Sequence, residues 1–354
     1  MARLKLEILK PGMFTTIQDL GRRGYLKQGV PVAGAMDSAA LRLGNVLVGN
    51  EEGCAGLEIT VVGPAFTVLE GEGCFAVCGA EVGIIKNGLP VACWTAHRVY
   101  AGDSISFSPP TAGVRAYLCV SGGIETPLMM GSRSTYTRGD FGGHEGRALK
   151  TGDVLSAGSP DVLWEACEGF ECPLSLRPDR NPNAPLRAVP GPQDDSFTEE
   201  GLDAFFSSEY VVTNLADRMG YRMEGPRITH MDGADIVSDA TCLGSVQVPG
   251  DGQPIVLMTD RQTTGGYAKI ATICAADVGN LAQRMPGNKV RFVRATVTEA
   301  VELLKREAES LAEVKRLRSA WRSRPIAESR SAQRGLWSIT VNGGKTFRVE
   351  WEKV

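Results

Sequence analysis

Short apolar segments separated by glycine-containing turns recur along the sequence, and this spacing limits the possible folds more than any other feature. The 42 glycines are spread over 354 residues instead of being gathered in one linker. Many short strands at regular spacing are typical of β-barrels and sandwiches. We therefore predict a mainly β fold. The predicted strands are 4–9, 57–62, 65–69, 75–78, 82–86, 98–100, 104–107, 114–120, 211–213, 222–224, 227–230, 255–258, 268–274 and 290–294.

Two segments carry helical patterns instead. The first is 38–48, where Asp37 is placed to accept hydrogen bonds from the first turn. The second is 296–321, where Thr296 and Glu299 have the spacing of a capping box. Its predicted apolar stripe consists of Val297, Val301, Leu304, Ala308, Leu311 and Val314.

The length of the chain suits about two domains, because a single core rarely grows beyond roughly 250–300 residues. Prolines concentrate between 173 and 192 and indicate the boundary. We predict a first barrel at 1–172, with a glycine-rich functional loop at 121–151, and a second barrel at 173–295. The remainder, 296–354, is predicted to form an amphipathic helix followed by a β-hairpin.

Composition narrows the choice of partners. The net charge of -3 and the pI of about 5.8 give no indication of nucleic acid or an anionic membrane as a partner. No apolar run is long enough to span a bilayer, and 1–10 lacks the apolar region of a signal peptide. Nine scattered cysteines are typical of reduced thiols, so we expect a cytoplasmic protein. Three distant histidines do not predict a metal site.

Dinucleotide-binding, serine-hydrolase and zinc-protease motifs are absent from the sequence. Polar residues instead concentrate in glycine-rich stretches, where a backbone can approach a ligand closely. Their arginine and glutamine side chains offer planar donors suited to amides and anions. We therefore predict that the chain recognises a small amide-like or anionic molecule. The stretches are 15–22, 131–136, 141–147, 217–222, 244–254 and 260–267.

Structural roles explain many of these residues equally well. A glycine–arginine turn is often only a solvated loop, and His144 alone could be a hydrogen-bonded loop residue. For Arg218, the alternative is an ion pair with Asp217. For Arg222, it is an ion pair with Glu224.

The glycine-rich stretches resemble one known family along nearly the whole chain. It is the family of the 5-oxoprolinase C subunit, also called allophanate hydrolase subunit 2 or subdomains A and B of biotin-dependent carboxyltransferases. The matching motifs run in the expected order between about residues 6 and 294. They are T-T-I-Q-D-L-G-R-x-G-Y, G-V-P-x-x-G-A-M-D, N-x-L-V-G-N, L-E-x-T-x-x-G-P, G-S-R-S-T-Y, F-G-G-H-E-G-R-A-L-K-x-G-D, D-R-M-G-Y-R-M-E-G-P, G-S-V-Q-V-P-x-D-G-Q-P-I-V-L-M and D-R-Q-T-T-G-G-Y.

This resemblance implies two cyclophilin-like β-barrels in tandem and a component of an ATP-dependent 5-oxoprolinase, which opens a lactam to glutamate. It implies a partner that resembles the B subunit of that enzyme and, in a larger assembly, the A subunit. ATP would be used by the assembled complex, at a site not located on this chain. One alternative is a carboxyltransferase component acting on urea or a similar amide, with biotin supplied in trans. Another is a regulatory protein that binds a partner resembling a kinase inhibitor.

Site candidates follow from the motif positions. The substrate-binding candidates are Arg133, Thr135, Arg147, Gln247, Gln262 and Tyr267, and the catalytic candidates are His144 and Asp260. The two arginines would hold an anionic group, while the glutamines and the tyrosine would hydrogen-bond an amide. His144 is the candidate for proton transfer.

The carboxyl end departs from the simplest members of the family. Segment 337–351, with its Asn342-Gly343 turn, resembles the first hairpin of biotin carrier domains. No Met-Lys biotin-acceptor pattern follows, so we do not expect the chain itself to be biotinylated.

Overall fold

The computed structural model describes residues 3–160 and 164–322, together with the backbone of 334–341 and 345–352. Within residues 3–160, ten strands form one sheet. They are β1 (Lys5–Lys10), β2 (Phe14–Gln18), β3 (Gly56–Thr60), β4 (Ala65–Glu70), β5 (Glu72–Lys86), β6 (Leu89–Val91), β7 (His97–Tyr100), β8 (Ser104–Val120), β9 (Ile124–Glu125) and β10 (Val154–Ala157).

The first sheet wraps around a single core. Its strands follow the order β2-β3-β8-β4-β1-β10-β9, and β5 joins at β8 and carries β6 and β7. In β1, Leu6 and Ile8 are buried while their neighbours are more exposed, as expected for a strand with one face toward a core. The buried cluster draws residues from both ends of this order, so the sheet is a nearly closed barrel.

Two strands of the first barrel are longer than the sequence pattern predicts. The predictions of separate strands at 75–78 and 82–86, and at 104–107 and 114–120, are wrong, because β5 and β8 each run through the intervening residues. Register shifts near Gly79, whose φ is 103°, absorb the irregular residues without ending the ladder.

The second barrel is closed by seven strands, which follow the order β11-β18-β15-β16-β13-β12-β19. A parallel pairing of β11 with β19 closes it, and β14 and β17 form a separate pair. The predicted strand at 227–230 is wrong, since His230 makes only an isolated bridge to Phe197. The strands of this half are β11 (Leu186–Pro190), β12 (Glu209–Val212), β13 (Gly220–Glu224), β14 (Asp235–Ala240), β15 (Ser245–Gln247), β16 (Ile255–Leu257), β17 (Thr264–Tyr267), β18 (Lys269–Ile273) and β19 (Lys289–Arg294).

Helices cover the outside of both barrels. They are α1 (Ser38–Leu47), α2 (Glu199–Ser207), α3 (Ala275–Ala282) and α4 (Val297–Arg322). Asp37 caps α1 by accepting a 3.3 Å hydrogen bond from the Ala40 amide, as predicted. Thr296 and Glu299 form the predicted capping box at α4. The short helices α2 and α3 were not predicted.

Only part of the predicted apolar stripe of α4 is buried. Leu311 and Val314, in its second half, pack into a cluster with α1. In the first half, Val297 is 66% exposed, and Val301 and Leu304 are each 44% exposed. The helix is therefore anchored mainly by its carboxyl-terminal half.

None of the nine cysteines, all of which lie among the described residues, forms a disulfide bond. Six are buried, Cys54 and Cys93 are half-buried, and Cys242 is exposed. Burial raises the pKa of the Cys172 thiol to about 11, against the weaker opposing effect of Arg177. The Cys172 thiol is therefore protonated at neutral pH.

The carboxyl-terminal strands β20 (Arg334–Val341) and β21 (Lys345–Glu352) pair antiparallel as a hairpin. The predicted fold class, mainly β with two barrels and a carboxyl-terminal helix and hairpin, is confirmed. Among the described helices, none combines the length and apolarity needed to cross a membrane.

Candidate functional site

A buried ion network joins the two barrels. Glu58, on β3 of the first barrel, receives a hydrogen bond from Arg218 of the second. Arg218 also binds both carboxylate oxygens of Asp260, at 3.0 and 2.9 Å, and donates to the Gly34 carbonyl at 2.7 Å. The remaining Glu58 oxygen accepts a 2.7 Å bond from the Tyr117 hydroxyl. We call Glu58, Tyr117, Arg218 and Asp260 the junction network.

The charged groups of this network are buried. The side chains of Glu58, Arg218 and Asp260 are all less than a tenth exposed. Burial alone would lower the pKa of Arg218, but Asp260 and Glu58 outweigh it and hold that pKa above its ordinary value. Removing one member would leave a buried charge without compensation, which is strongly destabilising.

A second set of polar contacts surrounds the network. Asp37, which caps α1, accepts two hydrogen bonds from Arg180, at 2.9 and 2.6 Å, and one from Gln283. Gln283 in turn accepts from the Arg115 amide, and the Arg115 guanidinium donates to the Tyr221 hydroxyl at 2.5 Å. The barrels are thus locked together by directional bonds that fix their relative orientation.

The glycine-rich loop of the first barrel is organised by Asp19. One carboxylate oxygen of Asp19 accepts hydrogen bonds from the Ser132 and Ser134 hydroxyls at 2.7 and 2.6 Å. The other accepts from the Arg133 amide at 2.6 Å. Thr135 is buried and donates to the Ile17 carbonyl at 3.0 Å. The Arg133 guanidinium is half-buried and makes no side-chain hydrogen bond within the described part of the chain.

His144 and Arg147 meet at a different carboxylate. Arg147 binds both oxygens of Asp153 at 2.7 and 3.0 Å and also contacts Glu145. His144 Nε2 lies 3.3 Å from Asp153 Oδ1. The hydrogen bonds from Arg147 lower the pKa of Asp153 to about 2, despite the opposing effect of burial. Arg147 already has two carboxylate partners, so an anionic ligand would have to compete with them.

Three of the predicted residues share one pocket, which we call the barrel-mouth pocket. Gln247, Gln262 and Tyr267 line it on the second barrel, and its volume is about 240 Å³. Arg138, from the loop of the first barrel, also lines it and forms a 3.0 Å ion pair with Asp217. The pocket is therefore built from both barrels. Its other lining residues are Leu215, Asp217, Met219, Gly220, Arg222, Ile255 and Leu257.

The amide groups in this pocket are held loosely. Gln262 Nε2 donates to Gln247 Oε1 at 3.1 Å, and Gln247 Nε2 reaches the Tyr267 carbonyl only at 3.4 Å. A Cβ at Gly265 would lie 2.4 Å from Gln247 Nε2, so a larger residue there would displace the end of this side chain. Each side-chain amide has donors and acceptors to spare for a ligand amide.

The alternative that Arg218 and Arg222 form structural ion pairs is only half right. Arg218 is structural, but its partners are Asp260 and Glu58 instead of Asp217. Arg222 is exposed and lines the barrel-mouth pocket, and within the described residues it forms no ion pair with Glu224. Arg222 therefore remains available to an anionic ligand.

The structure separates the predicted site residues into distinct places. Gln247, Gln262 and Tyr267 lie together in the barrel-mouth pocket, whereas His144 and Arg147 lie at Asp153. Asp260 lies in the junction network.

Sequence reasoning missed Arg138 and Glu58. A carboxylate between apolar neighbours in a strand, as in 57–59, is the signal that could have revealed Glu58.

Comparison with solved structures places this fold in the class of carboxyltransferase domains from urea-processing enzymes. The crystal structure of the Kluyveromyces lactis urea amidolyase matches 89% of this chain with a TM-score of 0.82 and 32% identity. The urea carboxylase from the same organism matches equally well. This chain covers only 20% and 29% of those two longer chains.

The sequence profile described as "Carboxyltransferase domain, subdomain A and B" matches residues 28–294. The chain belongs to this family. It is 40% identical to the 5-oxoprolinase C subunit of Escherichia coli, over 84% of this chain and 93% of the relative. It is 35% identical to the 5-oxoprolinase C subunit of Haemophilus influenzae, over 88% of this chain and 98% of the relative.

Proposed function

We propose that the chain is the C subunit of an ATP-dependent 5-oxoprolinase that converts 5-oxoproline to glutamate. The observation that carries this proposal is the 40% identity to a 5-oxoprolinase C subunit that is matched over 93% of its length. The name of that relative makes it one component of a larger enzyme. We accordingly propose two partners in the cytoplasm, one resembling the B subunit of 5-oxoprolinase and one resembling its A subunit.

The barrel-mouth pocket suits the substrate. A lactam has one N–H donor and one carbonyl acceptor side by side, and a primary amide such as Gln247 or Gln262 pairs with both. The carboxylate of 5-oxoproline would face Arg222 or Arg138, because a guanidinium binds carboxylates with two parallel hydrogen bonds. Ring opening breaks the lactam C–N bond and adds water. Donors fixed around the lactam carbonyl stabilise the charge that develops on its oxygen.

ATP does not fit this pocket. Its volume of about 240 Å³ lies below the usual range for sites of drug-sized ligands. We therefore propose that ATP binds elsewhere in the assembled complex.

The test is ATP-dependent glutamate formation from 5-oxoproline by this chain, co-purified with its B-type partner and supplied with the A-type partner. Turnover that requires all three chains and ATP supports the proposal. A stable, folded complex that produces no glutamate would refute it.

A second candidate is carboxyl transfer to urea or a similar amide, with biotin supplied in trans. The TM-score of 0.82 to the urea carboxylase structure favours it. The discriminating measurement is transfer of labelled carboxylate from a carboxylated biotin carrier to urea, with the same purified complex. The 5-oxoprolinase function predicts no labelled product.

A further inference from the structure

A second and larger pocket lies where α4 crosses the join between the barrels. We call it the helical pocket; its volume is about 540 Å³. It is lined by α1, α3, β19, α4 and the segment that links the barrels. The match to the family profile ends at residue 294, before α4 begins. The lining residues used below are Arg42, Arg180, Arg187, Asn280, Arg306 and Glu307.

Two hydrogen-bond acceptors in this pocket lack partners. Asn280 is only 6% exposed, and its side-chain oxygen has no hydrogen bond within the described residues. Glu307 is half-buried and forms no ion pair within the same residues. Burial raises the pKa of Glu307, opposed by nearby Arg180. Unsatisfied buried acceptors are costly, so a ligand that donates hydrogen bonds here would be stabilised.

Hydrogen-bond donors are also available. Arg42 approaches Glu52 only at 3.8 Å, and its buried Nε has no hydrogen-bond partner in the described chain. Arg306 is exposed and unpaired among the described residues. The other three arginines that line the pocket are already neutralised: Arg177 binds Glu171, Arg180 binds Asp37 and Arg187 binds Asp277. Arg42 and Arg306 therefore remain to bind an anionic group.

The remaining walls are apolar. They consist largely of Leu43, Leu176, Pro185, Val293, Leu303 and Leu311. An anion alone would leave Asn280 and Glu307 unsatisfied, and a cation alone would face Arg42 and Arg306. A ligand that satisfies the whole pocket has both charges on an apolar body.

We propose that the helical pocket binds a short zwitterionic peptide with apolar side chains. Its carboxylate lies at Arg42 and Arg306, and its ammonium lies at Glu307 and Asn280. The site is separate from the barrel-mouth pocket, because the two share no lining residue. The proposal does not depend on the 5-oxoprolinase function, since binding is measured on the chain alone.

The test is isothermal titration calorimetry of the full-length chain with leucyl-leucine. Two matched ligands each lack one charge: N-acetyl-leucyl-leucine lacks the ammonium, and leucyl-leucinamide lacks the carboxylate. We expect the dipeptide to bind and each analogue to bind about tenfold more weakly, the usual effect of losing one charge-assisted hydrogen bond. Equal binding of all three ligands, or no dipeptide binding at about 10 mM, overturns the proposal.

Variants of the protein test which residue contacts the ammonium of the ligand and which contacts its carboxylate. Glu307→Gln should remove the preference over the acetylated ligand, and Arg306→Ala should remove the preference over the amide. Glu302→Gln and Arg316→Ala are matched controls on α4 outside the pocket, and both should leave all three affinities unchanged. Binding of ATP with the dipeptide's affinity would show a general anion site instead. An unchanged preference over the acetylated ligand in Glu307→Gln would contradict the placement of the ammonium at Glu307.

Discussion

The junction network and the barrel-mouth pocket are both polar and both span the two barrels, yet they use their polar groups in opposite ways. In the junction network, Arg218 has three protein partners and Glu58 is bonded at both oxygens. In the pocket, the amide of Gln247 makes one bond of 3.1 Å and one of 3.4 Å. The first region is saturated, and the second has hydrogen-bonding capacity left over.

This difference indicates which region can recognise a ligand. Saturated buried charges hold geometry, and disturbing them costs stability. Partly satisfied amides at an open pocket can exchange their weak contacts for stronger ones to a substrate. The motif residue Asp260 illustrates the difference, since it is buried and bound at both oxygens by Arg218. A catalytic role for Asp260 would require this pair to open.

The largest expected effect comes from removing the central cation of the junction network. Arg218→Met should lower the free energy of unfolding by about 3–5 kcal/mol, because Glu58 and Asp260 would remain buried without their cation. Urea denaturation measures this loss. Arg222→Met is the control, since Arg222 is exposed, and it should change stability by about 0.5 kcal/mol or less. Similar losses in the two variants would contradict a saturated network.

The next prediction asks whether the site extends beyond the pocket. His144 lies at Asp153 and does not line the barrel-mouth pocket. If His144 transfers a proton in the assembled enzyme, His144→Ala should lower kcat about a hundredfold while the thermal midpoint stays nearly constant. His230→Ala, at a part-buried histidine bonded to the Val248 carbonyl, is the control for loss of an imidazole. Unchanged turnover in His144→Ala would confine the site to the pocket.

The role of the barrel-mouth pocket is tested by replacing Gln247 with an apolar residue of similar size. Gln247→Met should reduce kcat/KM for 5-oxoproline about tenfold, because one hydrogen bond to the lactam is lost. Gln253→Met is the matched control, since Gln253 bonds the Gly225 backbone and lies outside the pocket. A loss of stability in place of activity would show that Gln247 is structural.

The smallest expected effect is on the stability of the protein at low pH. The pKa of Asp153 in the folded protein is about 2, below its ordinary value, so its stabilisation is present above about pH 4 and is lost as pH falls toward 2. Arg147→Met should remove on the order of 1 kcal/mol at neutral pH and flatten the dependence of stability on pH in this window. Urea unfolding at several pH values measures both. An unchanged slope would mean that Arg147 does not hold Asp153 ionised.

The sequence was most informative where the determining contacts are local. The caps of α1 and α4 involve residues three positions apart, so their spacing alone predicted them. The junction network was not predicted, because Arg218 and Glu58 are separated by 160 positions and no local pattern pairs them. The continuous β5 and β8 were also missed, since bulges interrupt the pattern that marks a strand.

For the candidate site, the motifs identified the segments but could not specify their distances. Three of the candidate residues, Gln247, Gln262 and Tyr267, line one pocket. Arg138 was overlooked because its position depends on how the loop of the first barrel crosses to the second. The carboxylate that contacts His144 and Arg147 is Asp153, the last residue of the same motif, which was not singled out as a site candidate.

The distribution of cysteines allows local opening of the structure to be measured from the rates at which the thiols react. Cys242 is exposed and should react with a thiol reagent at once, whereas the six buried thiols are shielded until the structure around them opens. Four of them, Cys74, Cys78, Cys119 and Cys274, lie in or beside strands of the two barrels. Cys74, Cys78 and Cys119 pack in the cluster with α1 and α4, so the slow phase of their modification would time how often this helical layer separates from the first barrel, without any added label.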